Sequence, residues 1–216
     1  MKKQDTWHRT PAKRYLPLVW MLFAGLASCG RPPEIHYYTI QVQPDPGAST
    51  NHTAVYPFIA GVIKLDGGLL YSDDRIIYRQ SPFEVKFWNY RRWIAPPNVL
   101  ATEALREHLK VRHLFEDVVG YPSTVRPKMV FSGKVAAFEE WDDQTGWHGK
   151  VGLHLSLTDL QQDRVVWQGQ FEAMKPVAQK MPSAVVESIN KALNQCLQEA
   201  IDDLEKALVS QMMSKE

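Results

Sequence analysis

The 216-residue chain has only two cysteines, Cys29 and Cys196, so the multi-bridge framework that staples small secreted domains is excluded. It has no excess of one charge: 25 Lys and Arg stand against 24 Asp and Glu, a net charge of +1. That balance argues against a nucleic-acid partner, which needs a strongly basic surface. No His-Glu-x-x-His occurs, and the seven histidines lack metal-ligand spacing. No Gly-x-x-x-x-Gly-Lys loop and no Gly-x-Ser-x-Gly elbow occur either, which excludes P-loop ATP hydrolysis and the elbow-type serine hydrolases. The sequence therefore calls for no metal, no cofactor and no catalytic residue. Beyond residue 28 no stretch approaches the ~18 continuous apolar residues of a membrane span.

What is present begins at the N-terminus. Lys2, Lys3, Arg9, Lys13 and Arg14 precede an apolar run from Tyr15 to Ala27, of signal-peptide length and too short to cross a bilayer comfortably. Leu26-Ala27-Ser28-Cys29 closes the run and resembles the bacterial lipobox, where the signal is cut before the cysteine and the thiol takes a diacylglycerol. The pattern predicts a signal peptide over 1–28, lipidation at Cys29 and a lipidated tether over 29–35. A cleaved signal with an incidental cysteine, or a short membrane anchor, would show parts of the same pattern. Cleavage before Cys29 leaves 188 residues, enough for one domain with a real core. The lost leader carries five basic residues and one acid, so a net charge of +1 becomes −3. With Cys29 lipidated, Cys196 has no partner, and its place on an apolar helical stripe predicts a buried, unreactive thiol.

Along the chain, strands are predicted at His36–Val42, Phe58–Leu65, Arg75–Arg79, Phe83–Tyr90, Lys128–Glu140, Lys150–Thr158 and Val165–Ala173. Pro44 to Thr53 reads as a loop. The clearest alternation is Val151, Leu153, Leu155 and Leu157 on one face, with Gly152, His154, Ser156 and Thr158 on the other. Pro96-Pro97 opens a helix carrying Leu100, Ala101, Ala104, Leu105 and Leu109 at helical spacing, with His108 beside them. Pro182-Ser183 opens a long final helix whose stripe runs Val185, Ile189, Leu193, Cys196, Leu197, Ala200, Ile201, Leu204 and Leu208. The expected fold is a single α+β domain over 36–210: a largely antiparallel or mixed sheet with two main helices packed on one face.

Four carboxylate pairs invite a search for acid–base chemistry: Asp73-Asp74, Glu139-Glu140, Asp142-Asp143 and Asp202-Asp203. Neighbours in a strand point to opposite faces, and Asp is common at turns, so solvated structural roles are expected for all four. Asp142-x-Gln144-x-Gly146 lacks the spacing and the final Glu of a calcium loop. The most unusual stretch is Phe83 to Pro97, which sets Trp88, Tyr90 and Trp93 beside Arg91 and Arg92. These residue types favour protein interfaces, and they make this stretch the candidate surface for partner or self-association. The alternative is that Trp88 and Trp93 pack under the following helix while the arginines are solvated.

Several segments in order carry a family resemblance: Tyr37-Tyr38-Thr39-Ile40 after Cys29, then Asp74-Arg75-Ile76-Ile77-Tyr78-Arg79, then Tyr90 with Arg92-Trp93-Ile94-Ala95-Pro96-Pro97, and the helix Ser183 to Leu208. Together they resemble the ABC-type transport auxiliary lipoprotein family, with Ile94 inserted in the usual Trp-Ala step. The resemblance implies a non-enzymatic outer-membrane lipoprotein, facing the periplasm, that serves a mammalian-cell-entry (MCE) type ABC transporter moving phospholipid or another lipid. It also implies an MCE-domain periplasmic protein as partner, attachment to the membrane by the lipid anchor, and self-association, for which a ring is one form. Gly30 after the cysteine, rather than Asp, suits outer-membrane sorting. Other envelope lipoproteins, in lipopolysaccharide export or cell-wall synthase activation, and a periplasmic lipid carrier are the alternative functions.

Overall fold

Strand β6, Met129–Asp143, organises the sheet in the computed structural model, which describes residues 33–43 and 56–213. The signal sequence, Cys29 and the whole 44–53 loop lie outside the described residues. One edge of β6 pairs along its whole length with β7 (Gly146–Asp159), antiparallel, from Met129↔Asp159 to Asp143↔Gly146. Its other edge is divided. Met129–Phe131 take β2 (Tyr56–Ile63) in parallel, Lys134 bridges Asp66, and Glu139–Trp141 take β3 (Arg75–Ser81) in parallel. Beyond β2 lies β5 (Phe115–Tyr121), and beyond β3 lie β4 (Glu84–Trp93) and β1 (His36–Tyr38). Strand β8 (Arg164–Pro176) extends the antiparallel side, completing a mixed eight-stranded sheet.

Two helices complete an α+β fold, as expected. Helix α1, Pro97–Val111, starts with proline at its first position, where the missing N–H has no partner to lose. His108 and Lys110 sit in its last turn, where cationic groups suit the helix dipole. Helix α2, Pro182–Met213, lays its predicted stripe on β7 and β8, with every named stripe residue at most 3% exposed. The alternating leucines of β7 meet it from the sheet. Cys196 lies in this layer with its thiol directed at the Val151 carbonyl, 3.4 Å away, and burial pushes its pKa up to about 12. It is the inert small hydrophobe that its position in the stripe implied.

Three local expectations are corrected. Residues 115–121 form a strand that the sequence reading left unassigned, because Glu116 and Asp117 break its alternation at a sheet edge. The first strand stops at Tyr38. Past it the Gln41 N–H goes to Asn190 Oδ1 at 2.8 Å and the Gln43 N–H to Asn194 Oδ1 at 3.0 Å, so side chains of α2 replace a strand neighbour. Phe83 is not in a strand at all; it occupies a turn.

Helix α2 comes directly against the sheet at Gly149. A Cβ there would lie 2.3 Å from the Ile189 nitrogen and 2.4 Å from the Ser188 carbonyl carbon, both backbone. The Ser188 hydroxyl seals the contact, accepting from Gly149 N–H at 3.0 Å and donating to the Lys175 carbonyl at 2.5 Å. Gly149→Ala must therefore lift α2 from β7, and denaturant unfolding of the variant should show a loss of ~1–3 kcal/mol. A change under ~0.5 kcal/mol would show that the helix is not held at this point.

Candidate functional site

Strand β4 is irregular where the sequence concentrates aromatic and arginine residues. Phe87 pairs with Ile77 and Arg92 with Arg75, so five steps along β4 match two along β3. Three extra residues are accommodated by a wide bulge, a device that re-aims side chains and recurs beside functional sites. Tyr90 stands within it at φ 58°, a left-handed conformation that is strained for a non-glycine residue, and its side chain is 52% exposed. Arg91 lies over the Trp88 ring at 5.2 Å from its centroid, a cation–π contact. Arg92 faces Asp74 at 3.9 Å. On the outer edge of β4, strand β1 pairs only with Arg91 to Trp93.

The five interface candidates therefore divide. Trp88, Tyr90, Arg91 and Arg92 share the bulge, three of them half-buried and Tyr90 exposed. Trp93 is fully buried, edge-on to Phe138 of β6 with centroids 5.2 Å apart, so it is part of the core. The other four keep exposed surface.

Beneath the bulge lies a feature that the sequence reading missed. Glu139 and Glu140 are buried, not solvated: Tyr71 and Arg79 stand over one face of this part of β6 and Trp88 over the other. Glu139 accepts from the Tyr71 hydroxyl at 2.6 Å and from Arg79 Nε at 2.9 Å. Burial, together with the Glu139 carboxylate, raises the Tyr71 hydroxyl pKa well above its usual value. Glu140 points the other way and accepts from the Trp88 indole at 2.9 Å, tying the bulge to β6. Burial lifts its pKa to about 7; the Trp88 hydrogen bond opposes the shift and nearby Asp142 adds to it. Asp202 and Asp203 are also engaged, with Arg112 and the Trp167 indole respectively. The signal for Glu139 was available in principle, as Arg79 lies in the strand that pairs with it and Tyr71 just ahead of that strand. Distance along the chain concealed it.

These groups do not assemble a nucleophile with a base, and no cluster of three metal-ligating side chains occurs among the described residues. Among those residues no helix is long and apolar enough to cross a membrane. What the site shows is a bulged, half-buried cluster of aromatic and arginine side chains tied to β6 through Glu140. Its titration is predictable in sign. A carboxyl raised from 4.5 to about 7 on folding binds its proton more tightly in the native state, so its contribution to stability falls as pH rises through that window. Glu140→Gln keeps an acceptor for Trp88 without the charge. Its stability should match wild type near pH 4.5 and exceed it by up to ~3 kcal/mol at pH 8. Parallel pH curves for the two proteins would contradict this.

Comparison with known proteins accords with the fold. A family model described as "ABC-type transport auxiliary lipoprotein component" matches residues 38–200. The crystal structure of protein XCC0632 from Xanthomonas campestris is 18% identical, has a TM-score of 0.67, and aligns over 84% of this chain and 99% of its own. A second solved structure, of an uncharacterized protein, is 11% identical with a TM-score of 0.62 over 80% of this chain and 99% of its own. At such identities these likenesses establish the fold alone. No curated protein matches the chain. With well over half of its length matched by one family model, the chain belongs to the ABC-type transport auxiliary lipoprotein family.

Proposed function

We propose that this chain is the outer-membrane lipoprotein of an MCE-type ABC transporter, docking the periplasmic lipid-transport assembly at the membrane. The observation that carries the reading is the family membership of the domain joined to the Leu26-Ala27-Ser28-Cys29 sequence in front of it. Cys29 is the anchor, residues 29–35 the tether and 36–210 the docking module. Three acyl chains on a cleaved cysteine, at ~0.8 kcal/mol per buried methylene, exceed what stable attachment requires. Gly30 favours the outer membrane, and the cargo is phospholipid or a related lipid. The domain is non-enzymatic.

Trp88, Tyr90, Arg91 and Arg92 are the proposed contacts to an MCE-domain partner or to further copies of the chain. The strained Tyr90 supports this, since backbone strain persists where something other than folding selects it. The alternative of a lipid carrier gains no support from the layer between sheet and helix, which Leu153, Leu157, Ile189, Leu193 and Leu197 fill.

Cys29→Ala should fold with an unchanged unfolding midpoint, lose metabolic labelling by a palmitate analogue, and fail to support transport. A soluble variant that works normally would remove the anchor from the function. Pull-down of the native protein in gentle detergent should recover an MCE-domain protein; its absence from the eluate would count against the docking role. Tyr90→Gly relieves the left-handed strain, so its stability should hold or rise by ~1 kcal/mol while recovery of the partner drops. Unchanged recovery would remove Tyr90 from the interface.

A further inference from the structure

Among the described residues, two large apolar side chains are almost wholly exposed: Phe83 at 96% and Leu69 at 99%. Phe83 belongs to the two-residue loop Pro82–Phe83 that joins β3 to β4 between the paired residues Ser81 and Glu84. Such loops favour Asn-Gly or glycine-containing pairs, so turn geometry does not call for phenylalanine. Nor is the tip loose. Arg79 is held by Glu139 and donates to the Pro82 carbonyl at 3.2 Å, and the Ser81 hydroxyl accepts from Glu84 N–H at 3.2 Å. Gln80 Nε2 reaches Asp142 at 3.0 Å, linking this tip to the neighbouring β6–β7 turn. An apolar ring is thus presented to solvent on a braced support.

The course of the chain says what lies in front of it. Strand β1 runs parallel to β4, with His36 beside Arg91 and Tyr38 beside Trp93. The N-terminal end of β1 therefore points toward the Pro82–Phe83 tip. Across the bulge, Arg92 to Glu84 matches Arg75 to Ser81 of β3, six residues or ~20 Å of strand. From His36 back to Cys29 is seven residues, which span ~25 Å at most. Seven residues are thus long enough for a membrane anchored at Cys29 to lie at the level of the Pro82–Phe83 tip.

The same end of the sheet carries two half-buried tryptophans on opposite faces. Trp141 lies beneath Lys150 at 5.4 Å and Trp147 beneath Lys180 at 5.3 Å. Amphipathic rings capped by lysine are the residue types that settle at a bilayer interface. Glu84, Asp142 and Asp143 offset these lysines, so attraction to anionic lipid is not the driving force.

We propose that the Pro82–Phe83 tip is a second membrane contact: Phe83 inserts into the phospholipid bilayer that holds the Cys29 anchor, fixing the orientation of the domain so that Leu69 stays in water. This rests on the proposed lipidation of Cys29. One anchor alone would leave the domain free to tumble on its tether, whereas two points fix its orientation against the membrane.

The test uses the full acylated chain in vesicles of phosphatidylethanolamine and phosphatidylglycerol containing a doxyl-labelled lipid as quencher. Phe83→Cys and Leu69→Cys are labelled with a small environment-sensitive fluorophore, both sites being exposed enough to leave folding intact and Cys196 being buried. The label at 83 should shift to the blue and lose most of its emission to the quencher, while the label at 69 should lose none. Equal response at the two positions on vesicles that carry the protein overturns the proposal alone. So does a label at 83 that is shielded only when periplasmic protein is added, which would make the tip a protein contact. Wild-type chain that fails to float with vesicles overturns the lipid anchor and this proposal together.

Discussion

The divided edge of β6 is the constraint on which the fold depends. A strand edge normally serves one neighbour; this one serves β2 at its start and β3 at its end, with Asp66 bridging between them. Because β7 occupies the opposite edge throughout, β6 is the common wall of two half-sheets. The antiparallel side supplies the surface for α2. The parallel side branches into β2–β5 and β3–β4–β1, and the second branch carries the bulge and the Pro82–Phe83 tip. Displacing β6 would break the sheet into three pieces, β7–β8, β2–β5 and β3–β4–β1.

That arrangement has an electrostatic cost. Where β3 and β7 flank β6, water is excluded from Glu139 and Glu140, and each needs its own solution. Glu139 receives Tyr71 and Arg79. Glu140 receives only the Trp88 indole among the hydrogen bonds described, and its proton affinity rises accordingly. The two carboxylates pin opposite sides of β6 to different structures: one to the turn that precedes β3, the other to the aromatic bulge of β4. A pair read from the sequence as solvated thus helps to build the candidate surface.

The readable parts of the sequence were those with strong local periodicity. The stripe of α2 and the alternation of β7 are both buried as their spacing implied, and the proline start of α1 was visible directly. What escaped depends on contacts distant in sequence. Strand β5 has charged residues where a pattern was needed, since an edge strand must bury only Phe115 and Val118. The bulge at Tyr90 breaks a period of two that the residue types continue through Trp88. Gly149 is one glycine among twelve until α2 rests on it. For the candidate surface, composition could single out the segment but not the burial of Trp93, which depends on Phe138 some 45 residues away.

The short first strand and the amide clamp behind it decide how the domain would answer a pull. Tension applied ahead of Ile35 runs along β1, and parallel pairing with β4 loads its three register positions together in shear rather than opening them one by one. Behind them Asn190 and Asn194 grip Gln41 and Gln43 from α2, and His108 of α1 meets the same Asn194 amide at 2.8 Å. The strain would pass from the leading segment into both helices before any core strand was peeled. A chain of 182 residues from Ile35 onward is in this way sprung at its entrance, with a shock absorber built from two asparagines.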